Sequence, residues 1–176
     1  MKNKKLEKAV IIAAAVFVVM ALLFMFGRNL FNRNGDVRTA DSTVMPEATG
    51  TTNEIKSGII VEQDFVCTSD SISKLGIVFT RLAYKEGFDI VLELLEGNDV
   101  IASTTVKVAA VEDQHRTYIE PASKLNGMKG KTLTVKIYSA EKVDTGLVIM
   151  MNKDADTSFR FGGKSVKGTL CFSITE

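Results

Sequence analysis

The sequence predicts an all-β fold, an antiparallel two-sheet sandwich, preceded by one N-terminal transmembrane α-helix. Three features of the 176-residue chain predict it. An uninterrupted apolar run fills residues 9–26, and a polar stretch follows it to about residue 57. Residues 58–176 then consist of short runs in which apolar and polar side chains alternate, separated by turn residues. This alternation is typical of strands with one buried and one solvated face.

The apolar run is long enough to cross a bilayer as a helix. Its 18 residues would span about 27 Å, roughly one hydrocarbon core. A helix also bonds every backbone polar group internally, as lipid requires. Four lysines precede the run, so the positive-inside rule predicts a cytoplasmic segment 1–8, a transmembrane helix 9–27 and an extracellular C-terminal domain of a single-pass cell-membrane protein.

A cleaved signal peptide is the main alternative, because it also begins with basic residues and an apolar run. Signal cores usually span about 7–15 apolar residues and end in a small-x-small site. This run is longer and ends in Phe26-Gly27-Arg28, so we favour a retained signal-anchor. A pilin-type anchor is disfavoured by Lys8-Ala9-Val10 at the start of the run, and a lipoprotein by the lack of a nearby cysteine.

Residues 28–57 are predicted to form a flexible linker. From residue 34 onward they are rich in Thr, Ser, Gly, Asp, Asn and Glu and show no hydrophobic periodicity. Such a segment buries too little apolar area to offset its ordering entropy. It would hold the domain, residues 58–176, roughly 25–30 Å from the anchor.

The domain is predicted to contain about eight strands. In residues 88–96, FDIVLELLE, the even-numbered positions from 88 to 94 are apolar; in residues 132–139, TLTVKIYS, the odd-numbered positions from 133 to 137 are apolar. Each run therefore has one face to bury. The predicted strands lie near 60–67, 75–83, 88–96, 99–108, 115–120, 132–139 and 146–151, with one or two more within 158–174.

Turn residues separate these runs, and two longer connections favour a jelly roll. Asn126-Gly127 and Gly162-Gly163 tolerate the positive φ that tight turns require. The stretches 109–114 and 121–131 are longer than hairpin loops. They fit connections between two sheets better than a simple meander.

The two cysteines lie in the first and last predicted strands. An extracytoplasmic location permits a disulfide between Cys67 and Cys171, which would stabilise the fold by about 4–5 kcal/mol in the chain-entropy treatment. Strand parity argues against it. If Phe65 faces the core then so does Cys67, whereas core-facing Leu170 and Phe172 place Cys171 outside. We therefore favour two separate thiols.

Several function classes are disfavoured. The chain has 22 basic and 21 acidic residues, and four of the lysines precede the apolar run, so the slightly acidic remainder offers little attraction to nucleic acid. No Gly-x-Ser-x-Gly, phosphate-loop or dinucleotide motif is present, and we expect no enzyme and no cofactor. His115 is the only histidine and is expected at the surface, without zinc. Asp154 and Asp156 could contribute to a calcium site, but two carboxylates are too few to form one alone.

Four residues are the candidates for ligand binding: Arg116, Tyr118, Tyr138 and Arg160. Sugars are commonly bound by aromatic rings beside polar groups, and this chain has no Trp. By strand parity both tyrosines point away from the core, and the two arginines follow the same pattern. The alternative is that all four are ordinary solvated residues of a sheet.

The domain also shares a sequence profile with a known class of module. The profile comprises Gln63-x-Phe65, Leu75-Gly76-Ile77, Leu92-Glu93-Leu94, Ile101-Ala102-Ser103, Gly130 to Val135 and Gly168-Thr169-Leu170. Through these residues, 59–176 resembles the carbohydrate-binding-like β-sandwich (jelly-roll) modules of bacterial membrane-anchored proteins. It differs at His115 to Tyr118, where such modules often carry more aromatics, and at Thr169, where an acidic residue is frequent. The resemblance implies a non-catalytic binding or accessory module for a cell-envelope glycan or a membrane-protein partner. The alternative is a structural subunit of an envelope assembly that recognises only protein.

Overall fold

A computed structural model describes residues 45–176. The predicted cytoplasmic segment 1–8, the predicted transmembrane helix 9–27 and most of the predicted linker lie outside the described residues. Within 45–176, no helix is both long and apolar enough to cross a membrane.

The regular secondary structure of the described residues consists almost entirely of strands. It contains fourteen strands and one three-residue 3-10 helix, Val108–Ala110. In chain order the strands are β1 (Gly50–Thr51), β2 (Ile60–Val66), β3 (Ser71–Ile72), β4 (Lys74–Arg81), β5 (Asp89–Glu96), β6 (Asp99–Lys107), β7 (Arg116–Ile119), β8 (Leu125–Asn126), β9 (Thr132–Ser139), β10 (Leu147–Asn152), β11 (Ser158–Phe161), β12 (Lys164–Lys167), β13 (Thr169–Leu170) and β14 (Phe172–Thr175). The all-β prediction is confirmed.

The strands form two six-stranded antiparallel sheets and one small ribbon. Sheet A has the order β1-β10-β4-β14, with β13 paired to β10 and β7 paired to β4. Sheet B has the order β12-β11-β2-β9-β5-β6, and β3 pairs with β8 in the ribbon. The chain passes repeatedly between the sheets: β2 lies in B, β4 in A, the β5–β6 hairpin in B, β7 in A, β9 in B and β10 in A. This arrangement is compatible with a β-sandwich.

The core is formed by the inward side chains of the two sheets. The buried positions of β2 alternate as Val61, Gln63 and Phe65, as expected for a strand with one buried face. The rings of Phe65 in sheet B and Phe172 in sheet A pack with centroids 4.9 Å apart. Apolar side chains from both sheets belong to one continuous buried cluster, whose removal from water is the main driving force for folding.

One buried polar side chain joins the two sheets. Gln63 is 1% exposed. Its Nε2 donates to Thr169 Oγ1 at 2.6 Å, and its Oε1 accepts from the backbone N–H of Leu170 at 2.7 Å. Both ends of the amide are therefore satisfied, as burial of a polar group requires.

The C-terminal region is more divided than the sequence suggested. The prediction of one or two strands within 158–174 is wrong, because four strands occupy it. Gly162 and Gly163 turn β11 into β12 with φ of 58° and 78°. Gly168 then adopts φ 120°, where a residue with a Cβ is strained. A Cβ there would also lie 2.6 Å from the carbonyl oxygen of Asn152.

Residues 45–57, within the predicted linker, contribute an edge to sheet A. β1 pairs with β10, and Ile55 is fully buried. The backbone N–H of Ile55 donates to Leu147, and its carbonyl accepts from the N–H and the hydroxyl of Thr145. The polar composition of this segment did not indicate a strand, since only its few apolar side chains and its backbone take part.

The two cysteines are thiols rather than partners in a disulfide, as predicted. The predicted exposure of Cys171 is wrong: this residue is 2% exposed. It does lie on the face opposite Leu170 and Phe172, but the backbone at Pro46 packs against it, and its Sγ donates to the carbonyl oxygen of Pro46 at 3.4 Å. Strand parity assigns a face of the sheet and gives no information on what packs over that face.

Candidate functional site

The four residues predicted to bind a ligand are divided between the two sheets. Arg116 and Tyr118 lie on β7 in sheet A. Tyr138 lies on β9 and Arg160 on β11, both in sheet B. The structure therefore brings Arg116 and Tyr118 together and separates them from the other pair.

Arg116 and Tyr118 lie side by side over a glycine of the neighbouring strand. In the β4–β7 pairing, Gly76 is opposite Tyr118 and Val78 is opposite Arg116. A Cβ on Gly76 would lie 2.9 Å from the Tyr118 ring and 3.2 Å from Arg116 Cδ. Glycine within a strand often marks such a close approach. Lys74 Nζ lies 4.6 Å from the ring centroid of Tyr118, within the range of a cation–π contact.

These side chains border an open cleft of about 560 Å³, which we call the β7 cleft. Its volume is typical of ligand-binding clefts. The side chain of Arg116 makes no hydrogen bond or ion pair with any residue in 45–176, and its guanidinium is available to a ligand. The lining residues are Ala110, Glu112, Gln114, His115, Arg116, Thr117 and Tyr118.

The loop before β7 is held by backbone and side-chain hydrogen bonds. The N–H of Gln114 donates to the carbonyl of Phe79, and Asp113 Oδ1 accepts from the N–H of Arg81 at 2.9 Å. Gln114 has φ 58°, an uncommon conformation for a residue with a side chain. His115 Nδ1 lies 2.9 Å from the carbonyl oxygen of Asp113. The His115 side chain is 72% exposed, which confirms its predicted surface position.

Arg160 is held by two carboxylates of β2. Its Nε donates to Glu62 at 3.0 Å, and its Nη1 and Nη2 donate to the two oxygens of Asp64 at 3.0 and 3.2 Å. Burial by itself would lower the pKa of Arg160, but the hydrogen bonds to Asp64 and Glu62 outweigh it and raise the pKa. The guanidinium therefore already has anionic partners.

Tyr138 is likewise held within sheet B. Its hydroxyl donates to Glu93 Oε1 at 2.9 Å, and the other oxygen of Glu93 pairs with Lys136 Nζ at 3.0 Å. Burial and the hydrogen bond to Glu93 raise the pKa of Tyr138. The register places Arg160, Glu62, Lys136 and Glu93 opposite one another on four adjacent strands. Alternating charges in such a row stabilise the pairing of the strands, and we assign these side chains to the sheet itself.

Asp154 and Asp156 lie in the turn between β10 and β11. Asn152 Oδ1 accepts from the backbone N–H groups of Asp154 and Ala155 at 2.9 and 3.1 Å, which shapes this turn. Within residues 45–176 no cluster of three or more His, Cys, Asp or Glu side chains is placed to hold a metal ion.

Gln114, which lines the β7 cleft, and Lys74 and Gly76, which contact Tyr118 beside it, were not among the predicted candidates. The glycine inside an apolar strand was a usable signal, because it weakens a strand unless something packs on it. Lys74 had no such signal, since only the β4–β7 register brings it to Tyr118.

Comparison of the chain with protein-family models and with curated proteins gave no match in either case.

Proposed function

We propose that the chain is a membrane-anchored, extracytoplasmic and non-catalytic binding module whose β7 cleft binds a cell-envelope glycan. The anchor in this proposal is the apolar run 9–26. The fold would be the jelly-roll form of the sandwich, which the repeated passage of the chain between the two sheets supports. The resemblance to carbohydrate-binding-like modules points to the same class of ligand.

The observation that carries the proposal is the unpaired guanidinium of Arg116 beside the ring of Tyr118 in an open cleft. A sugar ring presents an apolar C–H face and a rim of hydroxyl groups. The Tyr118 ring can contact the apolar C–H face, as amphipathic aromatic side chains do in binding sites. The side chains of Arg116, Gln114 and Glu112 can form hydrogen bonds with the hydroxyl groups of the sugar. An open cleft also suits a sugar unit within a long polymer, because the polysaccharide can extend beyond both ends of the cleft.

The proposal is tested by co-sedimentation of the full chain, in neutral detergent micelles, with isolated bacterial cell-envelope polysaccharide. We expect saturable binding. Tyr118→Ala and Arg116→Gln should each weaken it by about fivefold or more, as truncation of a central contact usually does. Gly76→Ala should also weaken it, because the added Cβ displaces both side chains without removing either.

Tyr138→Ala is the matched control. It removes the same ring from the other sheet, where its hydroxyl is bonded to Glu93, and binding should stay within twofold of the parent chain. Equal losses for Tyr118→Ala and Tyr138→Ala would contradict the assignment of the β7 cleft. Absence of any sedimentation would contradict glycan binding.

A protein partner is the second candidate, and the edge of sheet B favours it. β6 ends that sheet and is nine residues long. Val100 near its start is 50% exposed. An exposed edge strand can accept a strand from another protein. Site-specific photocrosslinkers at residues 100 and 105, used in intact membranes, would capture such a partner, and the chain would then be a structural subunit of an envelope assembly.

A further inference from the structure

A second cleft opens where both sheets end on the same side of the domain. β1 is the terminal strand of sheet A and β12 is the terminal strand of sheet B. Residues from both edges, with β10 and β11 between them, enclose about 460 Å³. This volume is within the range of small-molecule sites. We call it the edge cleft.

The interior of the edge cleft is apolar. Met151 and Phe159 are each 3% exposed and form its base. Phe161 and Val166 are partly buried and form the wall on the side of sheet B. Polar side chains of residues 51–53 lie on the side of sheet A. The cleft thus offers an aromatic surface facing a row of hydroxyl and amide groups.

Two lysines complete the edge cleft, and no carboxylate lines it. Lys153 and Lys167 are both exposed. Neither makes an ion pair with any residue in 45–176. Lys167 precedes Gly168 in the chain, and the backbone of Lys153 lies against Gly168: a Cβ on this glycine would be 3.3 Å from Lys153 Cα. Both lysines line the same cleft, so an anion bound there would gain from two positive charges that have no carboxylate partner within 45–176.

The position of Lys153 depends on a second glycine. The side chain of Lys153 lies across Gly50 of β1, and a Cβ on Gly50 would overlap its terminal atoms. The backbone N–H of Lys153 is held by Thr49 Oγ1 at 2.9 Å. The lysine is therefore directed along the surface of β1, which borders the edge cleft.

We infer that the edge cleft binds an acidic saccharide. The sugar ring would rest its C–H face on Phe161, and its carboxylate would lie between the ammonium groups of Lys153 and Lys167. The hydroxyls of the sugar would meet Thr51 and Asn53. The choice of an anion follows from the two lysines, whereas the choice of a saccharide rests on the proposed function of the domain.

The test is isothermal titration of the full chain in neutral detergent micelles with tetragalacturonate and, separately, with the uncharged maltotetraose. We expect saturable binding of the acidic oligomer only. Lys153→Gln combined with Lys167→Gln should weaken it by about tenfold, the effect of losing two partly solvated ion pairs. Gly50→Ala should weaken it to a smaller degree by displacing Lys153.

A charge-matched control is Lys124→Gln combined with Lys129→Gln, which removes two exposed lysines outside the cleft. Its affinity should stay within twofold of the parent chain. Equal binding of both oligomers, no binding of either, or full affinity in the Lys153/Lys167 variant would overturn the inference. Loss of tetragalacturonate binding only in an Arg116→Gln variant would assign the acidic sugar to the β7 cleft, overturning this inference while supporting the proposed function. Binding of tetragalacturonate at the edge cleft without sedimentation of the chain on envelope polysaccharide would support this inference and contradict the proposed function.

Discussion

Replacing Gln63 by Leu should destabilise the domain by about 2–4 kcal/mol. The change keeps the side chain close to the same size but removes the two hydrogen bonds that join sheet B to β13. The groups left behind, Thr169 Oγ1 and the N–H of Leu170, belong to residues that are 3% and 0% exposed. Each unsatisfied buried group costs about 1–3 kcal/mol, and the apolar gain from Leu offsets part of the sum.

Such a loss is a large part of a typical unfolding free energy of about 5–15 kcal/mol, and it should lower Tm by about 10 °C. Unfolding in urea can be followed by tyrosine fluorescence, because the chain has three Tyr and no Trp. All three tyrosines lie in the described domain, so the signal reports on the domain alone.

A double-mutant cycle with Thr169→Val separates the hydrogen bond from other effects. We expect the two substitutions together to cost less than the sum of the single ones by about 1 kcal/mol, because Thr169 and Gln63 share one bond. A Gln63→Leu variant within about 0.5 kcal/mol of the parent chain, the usual range for surface substitutions, would refute the role assigned to this amide.

Three further outcomes are expected. Burial raises the pKa of Cys171 to about 11 from its ordinary value of 9.0, so the contribution of this thiol to the free energy of unfolding is complete below pH 9 and falls by roughly 3 kcal/mol between pH 9 and 11. Urea unfolding of Cys171→Ala should therefore lose this fall between pH 9 and 11, and an unchanged pH dependence in the variant would contradict the role of the thiol. Gly168→Ala should lower the free energy of unfolding by at least about 3 kcal/mol, because a Cβ at this strained position meets the carbonyl oxygen of Asn152. Gly163→Ala, where φ is 78° but the space is open, should lower it by only about 1 kcal/mol. Equal losses for the two variants would contradict the clash with Asn152. Arg160→Gln should cost about 1 kcal/mol at low ionic strength and less in high salt, because its ion pairs are partly exposed; a cost independent of salt would show that packing dominates.

Most strand positions could be predicted from the sequence because alternation is a local property. The predicted runs 88–96 and 132–139 correspond to β5 (Asp89–Glu96) and β9 (Thr132–Ser139). The two-residue strands β1, β3 and β8 were not predicted. A pair of residues is too short to show a period, and its place in a sheet depends on partners elsewhere in the chain.

The candidate site was predictable only in part. Parity indicated that Tyr118 and Tyr138 point outward, but it could not show that one borders a cleft while the other is bonded to Glu93. The two partners of Arg160 lie 98 and 96 positions away in the chain. No local pattern connects side chains at such separations.

The sequence by itself determined the all-β class, the places of the long strands and the inward or outward direction of their side chains. Each of these depends on the two-residue period of a strand and on turn residues, which act over a few positions. Only the tertiary structure decided which strands pair, that Gln63 bridges to Thr169, that Pro46 covers Cys171 and that two lysines meet an aromatic wall at the edge of the sandwich. These contacts follow from the order and register of the sheets, and that order is set by the packing of the whole core.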